Sequence, residues 1–170
     1  SKAIAAHAKS LGFRLFITDD RDEFANKQRF PEADMIVAKN PEEALKELPI
    51  NPNTFIVVAT RGHKFDNAAL AAAAATSARY VGLMGSKRKT ILIYEDLVRM
   101  GISLERLNEI RSPIGLDISA RTPEEIAISI IGEVLMFRLG GTGRAMKLDQ
   151  KQIDRIVAKV ESEKTAAAAD

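Results

Sequence analysis

Short apolar segments alternate with segments of helical character along most of this 170-residue chain. The apolar segments lie at residues 13–18, 34–37, 54–59 and 80–84. Strands that alternate with helices are typical of a parallel sheet with helices on both faces and right-handed crossovers. The segment 54–59 is a continuous apolar run, which predicts a strand buried on both faces. This alternation therefore predicts an α/β fold.

Capping residues indicate where several of the helices begin. Thr122 and Glu125 have the spacing of a capping box, which predicts a helix from there to about residue 139. Ser86 is expected to cap a helix that ends near residue 100, and Asp66 to cap the Ala-rich helix before it. Residues 152–162 are expected to form one more helix.

Charge and residue usage exclude several classes of protein. The chain has 25 Lys and Arg against 23 Asp and Glu, a formal net charge of +2, which argues against a dedicated nucleic-acid binder. It has no cysteine, and therefore no disulfide, thiolate metal site or cysteine nucleophile. Neither His7 nor His63 has a partner at metal-ligand spacing. No apolar stretch approaches the roughly 20 residues of a membrane span, so we expect a soluble, cytoplasmic protein that binds no membrane.

Polar residues follow the predicted strands. Asp19-Asp20-Arg21 follows the first strand, residues 60–63 follow the third and residues 85–89 follow the fourth. Ligands of parallel sheets bind outside the carboxyl ends of the strands. We therefore expect these groups to gather at one edge of the sheet.

The segment Gly85-Ser86-Lys87-Arg88-Lys89 is the strongest indication of a ligand. Cations in the first turn of a helix oppose its dipole by about 0.3–1 kcal/mol each. A bound anion would remove this conflict, because free backbone N–H groups and basic side chains would both face it. A phosphate is the natural candidate, and a solvated basic turn is the alternative.

Further residues are candidates for contacts with a ligand. Asp19 ends the first strand and could bind ribose hydroxyls, or only cap its own loop. Arg61 is a candidate anion contact, and the neighbouring His63 could orient a ligand, transfer a proton or satisfy loop backbone groups. Gly115 could admit a ligand close to the backbone or simply permit a turn. Glu133 lies on an apolar helix face, where a structural ion pair is expected if it is buried.

These motifs together resemble one family, the XdhC/CoxI accessory proteins of xanthine dehydrogenase and related molybdenum hydroxylases. The resemblance rests on residues 19–31, 60–66, 80–89, 113–118 and 122–127, in that order. It implies a Rossmann-like three-layer sandwich with a mostly parallel sheet. It also implies a protein that binds molybdenum cofactor, as molybdopterin or its dinucleotide form, and aids its sulfuration and insertion into the apo-enzyme.

The resemblance further implies partners and site residues. The partners would be an apo molybdenum hydroxylase such as xanthine dehydrogenase and a cysteine desulfurase, which must supply any persulfide because this chain has no cysteine. A homodimer is a further expectation. By motif position the cofactor-binding candidates are Arg61, His63, Gly85, Ser86, Lys87 and Asp117, to which the residues themselves add Asp19, Arg88 and Gly115. No residue is assigned a catalytic role, so binding and delivery are expected rather than turnover.

The chain departs from the family pattern at its first residues. Family members begin this domain with a strand and a glycine-rich turn, whereas this sequence begins at the following helix, and no G-x-G-x-x-G motif occurs in it. The first strand would lie centrally, between the strands that end at Thr18 and Ala59. We therefore expect upstream residues, or a segment of another chain, to fill that position, and we assign residues 1–145 to the Rossmann-like domain and 146–170 to a helical tail.

Two other functions remain open from the sequence. One is an NAD(P)-binding oxidoreductase that uses Asp19 and the basic turn, although no Tyr-x-x-x-Lys pair occurs to support hydride transfer. The other is a nucleotide-sensing regulatory domain without chemistry.

Overall fold

The structure, a computed structural model, describes residues 1–60 and 63–167, and the side chains of residues 63 and 64 are not included in the description. Helices and strands alternate within these ranges as the sequence predicts. In chain order they are α1 (Lys2–Ser10), β1 (Phe16–Thr18), β2 (Met35–Val37), α2 (Pro41–Glu47), β3 (Phe55–Val58), α3 (His63–Ala74), β4 (Tyr80–Leu83), α4 (Lys87–Arg99), α5 (Leu104–Glu109), α6 (Pro123–Leu139) and α7 (Gln150–Ala167).

The strands of the described residues pair in parallel but form two separate sheets. β1 pairs with β2, with Ile17 opposite Ile36, and β3 pairs with β4, with Val57 opposite Gly82. The segment after α5 continues the second sheet, because Arg111 forms a parallel bridge to Gly82. The α/β class with parallel strands is confirmed, and the expected single sheet is divided in two.

A cleft of about 910 Å³ separates the two sheets and is lined by both β1 and β3. No backbone hydrogen bond joins these strands in the part of the chain that the structure describes. The prediction that β3 is buried on both faces is wrong here, since three of its four residues are only half-buried beside the cleft. Direct pairing of β1 with β3 would have contradicted the expected central strand; that a strand fills the cleft stays a prediction.

The hydrophobic core is divided in the same way. The larger cluster surrounds Leu70, Leu83 and Ile93, which are completely buried between α3, β4 and α4. Small alanine side chains on α3 allow this helix to pack closely against β4 and α4. The smaller cluster consists of Ala5, Phe30 and Ala33 and covers β1 and β2. Each half-sheet therefore carries its own core.

Local capping signals are reproduced at most helix ends. The Ser86 side chain accepts a hydrogen bond from the Lys89 amide at 3.2 Å, and Thr122 and Glu125 form both bonds of the capping box. The expected role of Asp66 is wrong: α3 begins at His63, so Asp66 lies within its first turn rather than before it. The short helix α5 was not anticipated from the sequence.

The last helix, α7, has no buried residue. Its apolar side chains, including Ile156 and Val160, remain exposed. The division into a domain of residues 1–145 and a tail of residues 146–170 stays a prediction. None of the helices in the described residues is long and apolar enough to cross a membrane.

Glu133 of α6 holds the loop that follows Arg111. Its Oε2 atom accepts hydrogen bonds from the Tyr80 hydroxyl at 2.5 Å and from the Gly115 amide at 2.9 Å. Burial, together with the Glu133 carboxylate, raises the pKa of the Tyr80 phenol well above its usual value. An ion pair was expected if Glu133 is buried; the residue is half-buried, and among residues 1–60 and 65–167 neutral donors far apart in sequence, rather than a cation, bind its carboxylate.

We expect Glu133→Ala to lower the free energy of unfolding by about 2 kcal/mol, because it leaves a buried hydroxyl and an amide without their acceptor. Chemical denaturation measures this change, and Glu161→Ala on the exposed helix α7 is the control. Equal stability of the two variants would contradict the assigned role of Glu133.

Candidate functional site

Three loops that follow parallel strands form the edge at which a ligand is expected. Asp19 follows β1, Thr60 follows β3, and Gly85 with Ser86 follows β4. The Met84 amide donates to the Val58 carbonyl at 2.9 Å. The pairing of β3 with β4 therefore continues to the carboxyl ends of both strands, where these loops begin.

The buried carboxylate of Asp66 connects the loop after β3 to the first turn of α4. Asp66 is 0% exposed and lies in the first turn of α3, where a negative charge is favoured by the helix dipole. Its Oδ1 atom accepts a hydrogen bond from the Thr60 hydroxyl at 2.6 Å, and its Oδ2 atom forms an ion pair with Lys89 Nζ. The loop after β3 and the first turn of α4 therefore lie at the same edge, as expected.

The Asp66 ion pair also decides which cations of the basic turn are available. Lys89 is neutralised by Asp66, whereas Lys87 and Arg88 are exposed. No ion pair to Lys87 or Arg88 occurs among residues 1–60 and 65–167, and the first turn of α4 contains no acidic residue. Within the described residues, this turn thus presents unpaired cations and backbone amides to an anion.

Two hydroxyl groups that the sequence analysis did not single out hold the basic turn in place. Thr90 Oγ1 donates to the Ser86 carbonyl at 3.0 Å and lies 2.8 Å from the hydroxyl of Ser112. These contacts connect the start of α4 to the loop that follows Arg111. A threonine four residues after the capping serine was the only local signal for them.

Asp19 faces the cleft but is engaged by its neighbour. Its Oδ1 atom accepts from the Arg21 amide at 3.2 Å and from Arg21 Nε at 2.9 Å, and its Oδ2 atom accepts from Arg21 Nη2 at 3.1 Å. Arg21 in turn stacks on the Phe24 ring at 3.6 Å. Burial acts to raise the pKa of Asp19, but the hydrogen bonds and charge of Arg21 outweigh it and hold that pKa below its usual value.

The remaining candidates differ in what the structure places around them. Gly115 has a φ of 104°, and an added Cβ would lie 2.4 Å from the Ser129 hydroxyl. The close packing against α6 is therefore sufficient to explain why this residue is glycine. Asp117 is exposed, and no hydrogen bond or ion pair in the described part of the chain joins it to residues 85–88. Arg61 and the side chain of His63 lie outside the described residues.

These features define a parallel α/β domain whose strand-end loops, at one edge, suit an anionic ligand. The chain belongs to the XdhC Rossmann domain family, whose model matches residues 1–134. The resemblance found in the sequence motifs is thereby confirmed.

Similar proteins include two bacterial relatives and one solved structure. The chain is 31% identical over 135 residues to a Bacillus subtilis protein described as a probable subunit of xanthine dehydrogenase, covering 79% of this chain and 39% of that protein. It is 37% identical over 60 residues to the molybdenum cofactor insertion chaperone PaoD of Escherichia coli, covering 35% of this chain and 19% of PaoD.

The solved structure is that of a xanthine dehydrogenase from Bacillus halodurans. It superposes with a TM-score of 0.71 at 28% identity, covering 88% of this chain and 41% of that chain. This chain therefore spans less than half the length of each of these proteins.

We expect Lys89→Ala to lower the free energy of unfolding by about 3 kcal/mol, because the buried Asp66 carboxylate loses the cation that compensates it. Lys87→Ala removes a cation from the same turn without breaking an ion pair and should change stability by less than about 0.5 kcal/mol. Denaturant titration of both variants measures the difference, and similar stabilities would contradict the ion pair.

The lowered pKa of Asp19 predicts how stability depends on pH. A carboxyl group whose folded pKa is depressed contributes stability above its unfolded pKa and loses it as pH falls through the folded pKa. We therefore expect Asp19→Asn to weaken the decline in unfolding free energy between neutral and acid pH. Denaturation at a series of pH values tests this. A decline as steep as that of the unchanged protein would contradict it.

Proposed function

We propose that this chain is the Rossmann-like part of an accessory protein for a molybdenum hydroxylase such as xanthine dehydrogenase. Family membership and the names of the two relatives support this role. The proposed task is to bind molybdenum cofactor and to aid its insertion into the apo-enzyme. The proposed location is the cytoplasm.

The observation that carries the binding proposal is the free basic turn at the start of α4. The pterin of the cofactor bears a phosphate or a dinucleotide extension, and either is an anion suited to this turn. Lys87 and Arg88 would supply the charge, and the backbone amides of the turn that Ser86 caps, directly after Gly85, would face the anion. The donor set therefore fits the phosphate of this cofactor.

The other candidate residues complete the proposed site at the same edge. Arg61 follows β3 and would add a second cation for the phosphate or nucleotide. His63 and Asp117 would bind polar groups of the pterin or nucleotide, and Asp19 would contact a ribose once Arg21 releases it. Gly115 acts indirectly, because its packing on Ser129 positions the loop that carries Asp117.

Sulfuration is proposed as a shared task. When bound, the cofactor supplies the molybdenum centre that receives a terminal sulfur. A cysteine desulfurase must provide the persulfide, since this chain has no cysteine. The chain itself would hold the phosphate end of the cofactor and keep it from release before transfer to the apo-enzyme. Exposed apolar side chains on α4, such as Ile91 and Val98, support a homodimer during this task.

Ligand-dependent thermal stabilisation tests the binding proposal. Isolated molybdopterin and CTP are compared with NAD and NADP, and a ligand at a hundredfold excess over its Kd stabilises by about 2.7 kcal/mol. We expect molybdopterin to raise the Tm and the double variant Lys87→Ala/Arg88→Ala to lose that shift. Stabilisation by NAD or NADP alone would instead support the oxidoreductase alternative.

A matched control separates the site from general charge effects. Lys151→Ala/Arg155→Ala removes the same two charges from the exposed helix α7 and should retain the full Tm shift. If the Lys87/Arg88 variant keeps the shift as well, the assignment of the phosphate to this turn is wrong.

A further inference from the structure

A second cationic feature lies at the opposite edge of the strands from the proposed cofactor site. Arg79 directly precedes β4, Arg14 precedes β1, and Arg138 lies in the last turn of α6. All three line the amino-terminal end of the cleft between the sheets. Arg111 reaches the same aromatic residues from the neighbouring extended segment. We call these four residues the arginine cluster.

The arginine cluster is built on a group of packed aromatic rings. Phe55 lies 5.9 Å from Phe13 and 6.5 Å from Phe137, in edge-to-face contacts. The guanidinium groups of Arg79 and Arg111 stand 5.5 and 5.6 Å from the centre of the Phe137 ring. Arg79 and Arg111 therefore stand against the same ring.

Arg138 and Arg14 extend the cluster along the same edge. The Arg138 guanidinium stands 5.0 Å from the centre of the Phe13 ring, and that of Arg14 stands 5.2 Å from the centre of the Phe16 ring. All four arginines thus stack on rings rather than extend freely into solvent. Such stacking limits the entropy that each arginine would lose on binding.

The charges of the cluster are largely uncompensated by the residues that the structure describes. All four arginines are exposed, and none forms an ion pair among residues 1–60 and 65–167. The nearby carboxylates are already engaged: Asp34 binds Lys9 and the Leu15 amide, and Glu133 binds Tyr80 and Gly115. Arg14 interacts electrostatically with the Asp34 carboxylate, whereas Arg79, Arg111 and Arg138 form no ion pair within the described residues.

We propose that the arginine cluster is a docking site for an acidic segment of a partner protein. Guanidinium groups bind carboxylates in bidentate geometry, and arginine is enriched in protein interfaces. A nucleic acid is a poorer fit, because single strands bind by stacking bases on free aromatic faces and these rings already contact each other and the arginines. The proposal does not depend on the proposed cofactor role, which concerns the other edge.

Fluorescence anisotropy with a labelled oligoglutamate peptide tests the proposal. We expect salt-sensitive binding to the unchanged chain, and Arg79→Gln/Arg138→Gln should weaken it by about tenfold or more, because two charged contacts are lost. The control Lys151→Gln/Arg155→Gln makes the same change of net charge on α7 and should bind as the unchanged chain does. Circular dichroism melts check that each variant remains folded.

Several results would overturn the proposal. Binding that weakens equally in both double variants would follow net charge rather than the cluster. Absence of peptide binding, or binding of oligothymidylate in preference to oligoglutamate, would also contradict it. We expect Arg79→Lys/Arg138→Lys to retain part of the peptide binding, because the positive charges are kept while the planar guanidinium groups are lost.

Discussion

The geometry of the candidate site depends on one buried carboxylate. Asp66 has no access to water, and a buried charge is tolerated only when it is paired and hydrogen-bonded. Thr60 compensates it from the loop after β3 and Lys89 from the first turn of α4, so this one charge holds the end of β3 and the start of α4 together. Because Lys89 is paired with Asp66, its charge is not available to bind an anion. Two cations of the turn then remain for a ligand.

The two sheets on either side of the cleft are connected by contacts other than strand pairing. Open edges of β1 and β3 leave backbone donors and acceptors without ladder partners in the described residues, which makes this edge a natural place for another strand. Across the cleft the halves are joined by helix α1, which packs on α6, and by the edge-to-face contact of Phe13 with Phe55. These contacts, rather than strand pairing, connect the two halves in the described part of the chain.

Local features of the sequence predicted much of the fold, whereas contacts between distant residues had to be seen in the structure. The helix caps at Ser86 and Thr122 depend on bonds to residues three positions away, so their spacing alone identified them. The partner of Glu133 lies 53 residues earlier, and no pattern within α6 indicates a tyrosine hydroxyl rather than a cation. The burial of Asp66 was missed for the same reason, since its partner Lys89 follows in another helix.

The two cationic features have different structural explanations. Arg138 lies at the carboxyl end of α6, where the helix dipole favours a positive charge, and it also stacks on Phe13. Lys87 and Arg88 lie at the amino end of α4, where the dipole opposes them, and no described carboxylate compensates them. Fold stability can thus account for Arg138 without a ligand. It gives no reason for the two cations of α4, and their placement is the stronger argument for an anion at the carboxyl edge.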